Sequence, residues 1–349
     1  MFVHKSKRVV LVLCFALLYI GTAKADKWDA CKKGINEAVG MQEGIVACTR
    51  IIRSGKETKS NLAVAYGNRA GHYVNLKQND LALKDITRAL EFNPREANFY
   101  NTRGNVYLGK NLLDLAMADY NSAIALNPKF ALAHSNRGVA WERKKELERS
   151  IADYDKAIAL GANDGRLYRS RGSYYFDQKL LDLALVDYNK AIDLGSGKDW
   201  VFTQRGRIFA GKNDVSRALD DYARAIRSNP AYADAYWFRG HIYNSQDKHD
   251  LAAIDYCKVT ELSPKFARGF NSCAWAYFKS GKAAMGLPFV QKALEMTPDD
   301  APIIDTRGHI YEALGRKEEA VVDFKRAIAL APGQKETQDA LRRLGVLNN

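Results

Sequence analysis

Histidine and cysteine are the first side chains to test for chemistry, and the chain has 6 histidines and 5 cysteines. His72, His241, His249 and His309 keep no metal-ligand spacing with one another, and no H-E-x-x-H motif occurs. His4 falls in a basic stretch at the N-terminus, and His134 occupies a position otherwise filled by rings. There is no glycine-rich phosphate loop and no nucleophile elbow. Asp-Tyr pairs recur down the chain, as in Asp119-Tyr120 and Asp187-Tyr188, and pairs repeated so regularly read as packing elements rather than acid/base dyads. The expectation is a non-enzyme with no catalytic residue, metal or cofactor.

The remaining chemistry-bearing residues are cysteines, tryptophans and arginines, and their reading depends on the compartment. Met1–Ala25 has no acidic residue. It carries His4, Lys5, Lys7 and Arg8, a 12-residue apolar run from Val9 to Ile20, and small residues two apart in Ala23-Lys24-Ala25. That order is the design of a secretory signal peptide cleaved after Ala25. Twelve apolar residues fall well short of the ~20 that span a bilayer. Cleavage would remove four positive charges and take the net charge from +13 to +9. Export would also leave Cys31, Cys48, Cys257 and Cys273, an even number in a compartment where disulfides persist.

The elements that position these residues follow from a period of 34. Arginine recurs at Arg69, Arg103, Arg137, Arg171, Arg205, Arg239 and Arg307. A small residue follows it, from Ala70 and Gly104 to Gly308. Three further on stands a ring, as at Tyr73, Trp141, Phe209 and Tyr311. A second small column (Ala82 to Ala320) precedes a bulky one, Ile86, Tyr120, Tyr154, Tyr188, Tyr222, Tyr256, Val290 and Phe324. Proline closes most repeats, and Gly161 and Gly195 replace it in two. Residues three or four apart share a helical face, so small and large columns imply two interlocking helices per repeat. Each hairpin is too small to bury its own apolar face, and a stack buries it collectively.

This pattern resembles the tetratricopeptide repeat (TPR) family over Ala63 to about Gln334. The resemblance implies an all-α fold, a right-handed α-solenoid of stacked helix-turn-helix hairpins, and a ligand-binding concave groove lined by first helices. Residues 1–25 are read as the signal peptide, 26–62 as a degenerate helical hairpin with two short helices around Gly40, 63–334 as eight repeats, and 335–349 as a C-terminal capping helix. One departure recurs, since Arg stands where the family usually has Leu before the small residue. The seventh repeat departs most, with Cys273 in the Arg column, Ala274 for Gly and Gly286 for Ala.

An Asp lies 16 residues after each of those arginines, at Asp85, Asp119, Asp153, Asp187, Asp221, Asp255 and Asp323. The seventh repeat loses both together, as Cys273 and Phe289. Joint loss favours an Arg–Asp pair across the two helices of one hairpin rather than between neighbouring repeats. Hairpin geometry also sorts the cysteines. Cys257 and Cys273 are equidistant from Lys265, and Cys31 and Cys48 from Val39–Gly40, so antiparallel helices would join Cys31 to Cys48 and Cys257 to Cys273.

On each first helix the columns headed by Val64, Gly67, Gly71 and Val74 lie opposite the packing columns. The early repeats place Asn98, Asn101, Asn105, Ser135 and Val139 there. The fourth to seventh repeats place Arg166, Arg169, Phe176, Trp200, Arg207, Trp237, His241, Arg268, Trp275 and Phe278 there. The eighth turns acidic, with Asp305 and Glu312. Trp200 to Trp237 is one repeat plus three, and Trp237 to Trp275 one repeat plus four, a diagonal across the groove. Trp and Arg dominate binding hot spots. Asn101, Asn105, Asn136, Arg166 and Ser170 match the family's carboxylate clamp only incompletely.

The expected activity is that of an exported adaptor in the periplasm or cell envelope. It would bind a protein or peptide with apolar and acidic side chains and support assembly of an envelope or secretion complex. No small-molecule substrate is implied, and peripheral association with the envelope is compatible with this reading. The competing reading is a binder of anionic polymer, polysaccharide or anionic lipid, through the arginines. Export argues against nucleic acid.

Overall fold

The computed structural model describes residues 27–32 and 38–347, and the leader expected at Met1–Ala25 lies outside them. Two compact bodies divide the chain after Asn163, the junction between the third and fourth repeats. The described residues are helical throughout, with no strand.

The N-terminal body begins with α1 (Lys27–Lys32) and α2 (Ala38–Arg53). Three hairpins follow: α3 (Lys59–Asn75) with α4 (Asn79–Phe92), α5 (Ala97–Gly109) with α6 (Leu113–Leu126), and α7 (Ala131–Arg143) with α8 (Leu147–Ala159). The C-terminal body holds five: α9 (Gly165–Asp177) with α10 (Leu181–Asp193), α11 (Asp199–Gly211) with α12 (Val215–Ser228), α13 (Ala233–Ser245) with α14 (His249–Leu262), α15 (Ala267–Lys279) with α16 (Ala283–Met296), and α17 (Ala301–Ala313) with α18 (Lys317–Leu330). The cap α19 (Lys335–Arg343) closes it on α18. In both bodies each helix packs on the next, and first helices also touch, α3 on α5, α5 on α7, α11 on α13 and α15 on α17. Each body is an α-solenoid of stacked hairpins.

One expectation at the N-terminus is corrected. Gly40 lies inside α2, not between two short helices, so the chain carries one six-residue helix and one sixteen-residue helix there. A glycine costs an exposed helix only ~1 kcal/mol, less than the packing of Ile45, Cys48 and Ile51 returns.

The small and large columns interlock within each hairpin. A Cβ at Gly104 would stand 2.6 Å from the Tyr120 ring, and one at Gly206 2.7 Å from Tyr222. The glycine is therefore the socket for the ring of the second helix, and those tyrosines are buried. The turn between paired helices has its own period. Lys77, Asn111, Lys145, Lys179, Asn213, Asp247, Gly281 and Gly315 all have positive φ, between 57° and 76°. Each is followed by an N–H that bonds back into the first helix, as Leu112 to the Tyr107 carbonyl, which is a Schellman closure.

All seven arginines pair with the aspartate of their own hairpin. Arg239 Nε and Nη2 donate to Asp255 at 2.8 and 2.7 Å, and Arg103 binds Asp119 in the same two-pronged way. The aspartates are almost fully buried and the guanidiniums partly so, with side-chain exposures of 1% for Asp255 and 21% for Arg239. The third guanidinium nitrogen reaches the preceding repeat where a partner exists. Arg137 Nη1 donates to Asn121 and Arg205 Nη1 to Asn189, both at 2.7 Å.

That outward contact explains the seventh repeat. Cys257 and Cys273 stand at the same two positions, two and four periods on, that Asn189–Arg205 and Asn121–Arg137 occupy. They form a disulfide with Cα atoms 5.1 Å apart. Phe289, in the vacated aspartate position, packs against Phe270 and Tyr277. A Cβ at Gly286 would lie 2.7 Å from the Ala274 carbonyl oxygen, so α15 and α16 meet backbone to backbone where six of the other repeats insert a ring. The second disulfide joins Cys31 to Cys48, in the pairing expected from the hairpin, with Cα atoms 4.8 Å apart and both residues fully buried.

Candidate functional site

The four columns expected to face away from the core do not behave alike. The Gly67 column is largely buried: Asn101, Ser135 and Thr203 are 7%, 5% and 1% exposed. It lies where neighbouring first helices meet, and small polar residues fill that seam. Asn136 Nδ2 donates to Asn101 Oδ1 at 2.9 Å across α5 and α7, and Asn105 accepts from the Tyr120 hydroxyl at 2.8 Å. The asparagines that resembled a carboxylate clamp are thus already engaged with one another and with a core tyrosine.

In the C-terminal body the large residues of these columns form a chain of cations and rings. Arg169 stands 5.8 Å from the Trp200 ring centre, and Trp200 meets the edge of Tyr188. Arg207 is held between two rings, 4.9 Å from Phe176 and 4.8 Å from Phe238, and donates to Gln204 Oε1. Trp237 packs on His241 (4.4 Å), Phe266 (5.1 Å) and Tyr256 (5.4 Å). Trp275 packs on Phe278 (5.1 Å) and His309 (5.7 Å). Trp200, Trp237 and Trp275 are each partly exposed, and among the described residues no ring contact joins one to another. Each tryptophan packs across the junction between its own repeat and a neighbouring one. Arg166 is exposed and folds back on Asp164, while Arg268 is exposed with no carboxylate partner among the described residues.

Two concavities lie on the first-helix faces, one in each body. The N-terminal one, ≈ 480 Å³, is walled by amides, Asn68, Asn75, Asn98 and Asn105, over Gly67 and Gly71. The C-terminal one, ≈ 460 Å³, contains His241 and Trp275 together with Tyr256, Asn271, Asp305 and Glu336. The sequence signalled the acidic turn at Asp305 but not the part played by Glu336, since the position of the cap against the last repeat is not carried by the period. His241 lies against Trp237 and Tyr256. Although part of the ring remains exposed, loss of surrounding water holds its pKa below the usual imidazole value.

A solenoid of 34-residue hairpins with partly open Trp and Arg side chains on its first-helix faces is a repeat scaffold. Family models for the tetratricopeptide repeat match residues 104–145, 203–265 and 301–334. The chain carries tetratricopeptide repeats in those stretches. Among solved structures it is similar to the APC/C hetero-tetramer Cut9–Hcn1, at 16% identity and TM-score 0.46 over 78% of this chain and 52% of that one. It thus spans about half the length of that chain. It is also similar to a tetratricopeptide repeat protein from Parabacteroides merdae, at 19% identity and TM-score 0.45 over 71% and 98%. A third is YrrB, described as a TPR protein with an unusual peptide-binding site, at 21% identity and TM-score 0.31 over 64% and 97%. No curated protein matches the chain in sequence.

Proposed function

We propose that the chain is a non-enzymatic adaptor, exported to the periplasm or cell envelope, that holds a segment of another protein along the first helices of its C-terminal body. The observation that carries this reading is the run Arg169–Trp200, Phe176–Arg207–Phe238 and Trp275–Phe278 on successive first helices, partly open to solvent. Rings and guanidiniums fixed by neighbours lose little freedom when a ligand arrives, which is what a binding surface needs. Arg268 supplies an exposed cation for an acidic side chain of the segment. The adaptor would serve assembly of an envelope or secretion complex.

The test is capture from an envelope extract by residues Asp26–Asn349 and by a variant with Trp200→Ala, Trp237→Ala and Trp275→Ala. Circular dichroism checks that both remain equally helical. The bound segment, made as a synthetic peptide, is expected to bind the parent at least tenfold tighter than the variant. Identical capture by both proteins would overturn the reading. The net charge of +9 that would remain on Asp26–Asn349, the +13 of the full chain less Lys5, Lys7, Arg8 and Lys24, and the arginines of the first-helix faces favour an anionic polymer as the second reading. Polymer binding would weaken steeply between ~50 and ~200 mM salt through counterion release, whereas ring-anchored binding would change little.

A further inference from the structure

In the eight repeats, the deeply buried aspartates each receive an arginine fork from their own hairpin. Asp305 is different. Its side chain is 16% exposed, it accepts one hydrogen bond, from Thr337 Oγ1 at 2.6 Å, and its nearest cationic candidate is His309 at 3.6 Å. Burial keeps the His309 pKa below the usual imidazole value, against the pull of Asp305 and Glu312, which disfavours the imidazolium as a countercharge. Burial pushes the Asp305 carboxyl up, and the charge of nearby Glu336 adds to that effect. Among the described residues neither Asp305 nor Glu336 meets a lysine or arginine at ion-pair distance. In a chain with 53 Lys and Arg, Asp305 is a largely buried carboxylate without such a partner, and Glu336 beside it is exposed and free to join in receiving a cation.

These carboxylates line the C-terminal concavity of ≈ 460 Å³, and the rest of its wall suits the same occupant. Trp275 is partly exposed there, and the Lys279 ammonium already stands 5.9 Å from its ring centre, so the ring lies in reach of cations. Asn271, also in the wall, has a buried amide oxygen without a hydrogen-bond partner. Burial disfavours the imidazolium of His241, so its ring adds little repulsion. The pocket therefore offers two carboxylates and π-faces beside amide and hydroxyl groups, and no lysine or arginine lines it.

We propose that this pocket takes the guanidinium of an arginine side chain from the bound segment, with Asp305 and Glu336 accepting its hydrogen bonds and Trp275 packing on its plane. A planar fork on carboxylates is how the fold itself neutralises a buried aspartate, seven times over, and an ammonium would leave that geometry unused. The inference rests on the segment-binding reading above. It also gives the segment a direction: acidic side chains toward Arg169 and Arg268, a basic one toward α17 and α19.

The probe is N-acetyl-arginine methylamide, titrated into residues Asp26–Asn349 while the Trp275 indole N–H is followed by NMR. The isosteric, uncharged citrulline derivative and the lysine derivative serve as comparisons. We expect a saturable shift with millimolar affinity, at least tenfold tighter than citrulline and several-fold tighter than lysine. Asp305→Asn, which can still accept from Thr337, and Glu336→Gln should each weaken it at least fivefold without changing the thermal midpoint by more than a few degrees. No saturable shift, equal binding of citrulline, or unchanged affinity in both variants would overturn the assignment, and tighter binding of lysine would overturn the guanidinium. If a captured segment depends on the tryptophans yet its arginines are dispensable, the pocket assignment falls and the adaptor reading stands. If the arginine derivative binds but no segment is captured, the adaptor reading falls alone.

Discussion

At the scale of single residues the buried ion pair sets the energetics of every hairpin but the seventh. Its two partners are unequally exposed, so their removal should not cost the same. Arg239→Ala leaves Asp255 desolvated and uncompensated and should destabilise by ~3–5 kcal/mol, whereas Asp255→Ala leaves a guanidinium that can turn to water and should cost less. Urea denaturation of the singles and the double should show the double well below the sum of the two. Equal single costs that add would reject the pair as a unit. The turn residues make a second prediction. Lys179 has φ 62°, a conformation that disfavours a Cβ, and Lys179→Gly should stabilise by ~0.5–1 kcal/mol in the same assay. His241 gives a third. Its imidazolium is disfavoured in the folded chain, so on acidification the unfolded chain takes the proton first, and this group contributes a loss of stability as pH falls below the usual imidazole value. NMR titration should find His241 below that value in the parent and nearer to it in Trp237→Ala.

At the scale of elements, the hairpins were legible because their pattern is steric. Gly104 and Tyr120, 16 apart, can only mean that one helix is notched for the other, and the pairing of Arg with its own Asp followed from one joint loss. The positive-φ position was partly hidden, since Lys77, Lys145 and Lys179 carry no composition signal, whereas Asn111, Asn213, Asp247, Gly281 and Gly315 suit it. The exposed columns were less legible. Helical geometry assigns a face but not the seam between successive first helices, and that seam swallows Asn101 and Thr203. The seventh repeat, which departs most in sequence, is the informative one. If its disulfide replaces the outward arm of the arginine, then reduction should lower stability by ~3 kcal/mol. A variant with Cys257→Asn, Cys273→Arg and Phe289→Asp should recover most of that loss under reducing conditions. Thermal unfolding with and without reductant measures it, and a variant no better than the reduced parent would show that the two joints are not equivalent.

At the scale of the whole molecule, the two bodies differ in what their first helices expose. The N-terminal pocket is lined mainly by amides and small residues, with one cation and one carboxylate in Lys32 and Glu96, while the C-terminal body carries cations and rings at its start and carboxylates at its end. Whether the protein meets its partner outside the cytoplasm depends on Met1–Ala25. Mass spectrometry of the native protein from an envelope fraction should find Asp26 as the first residue, and an intact Met1 in a cytosolic fraction would remove the export reading. Both disulfides should be present in that material, seen as the absence of alkylation before reduction.

The closing of each ion pair inside its own hairpin has a consequence for how such a chain can lengthen or shorten. A deletion or duplication of 34 residues, wherever its ends fall within the regular stretch, removes or adds one donor together with one acceptor and leaves the buried charge balanced. The repeats behave as interchangeable cassettes, and recombination between them is electrically silent. The seventh is not interchangeable, because its excision would strand Cys257 as a free thiol facing an arginine. Gene variants that gain or lose cassettes should therefore do so among the first five repeats and keep the sixth and seventh together.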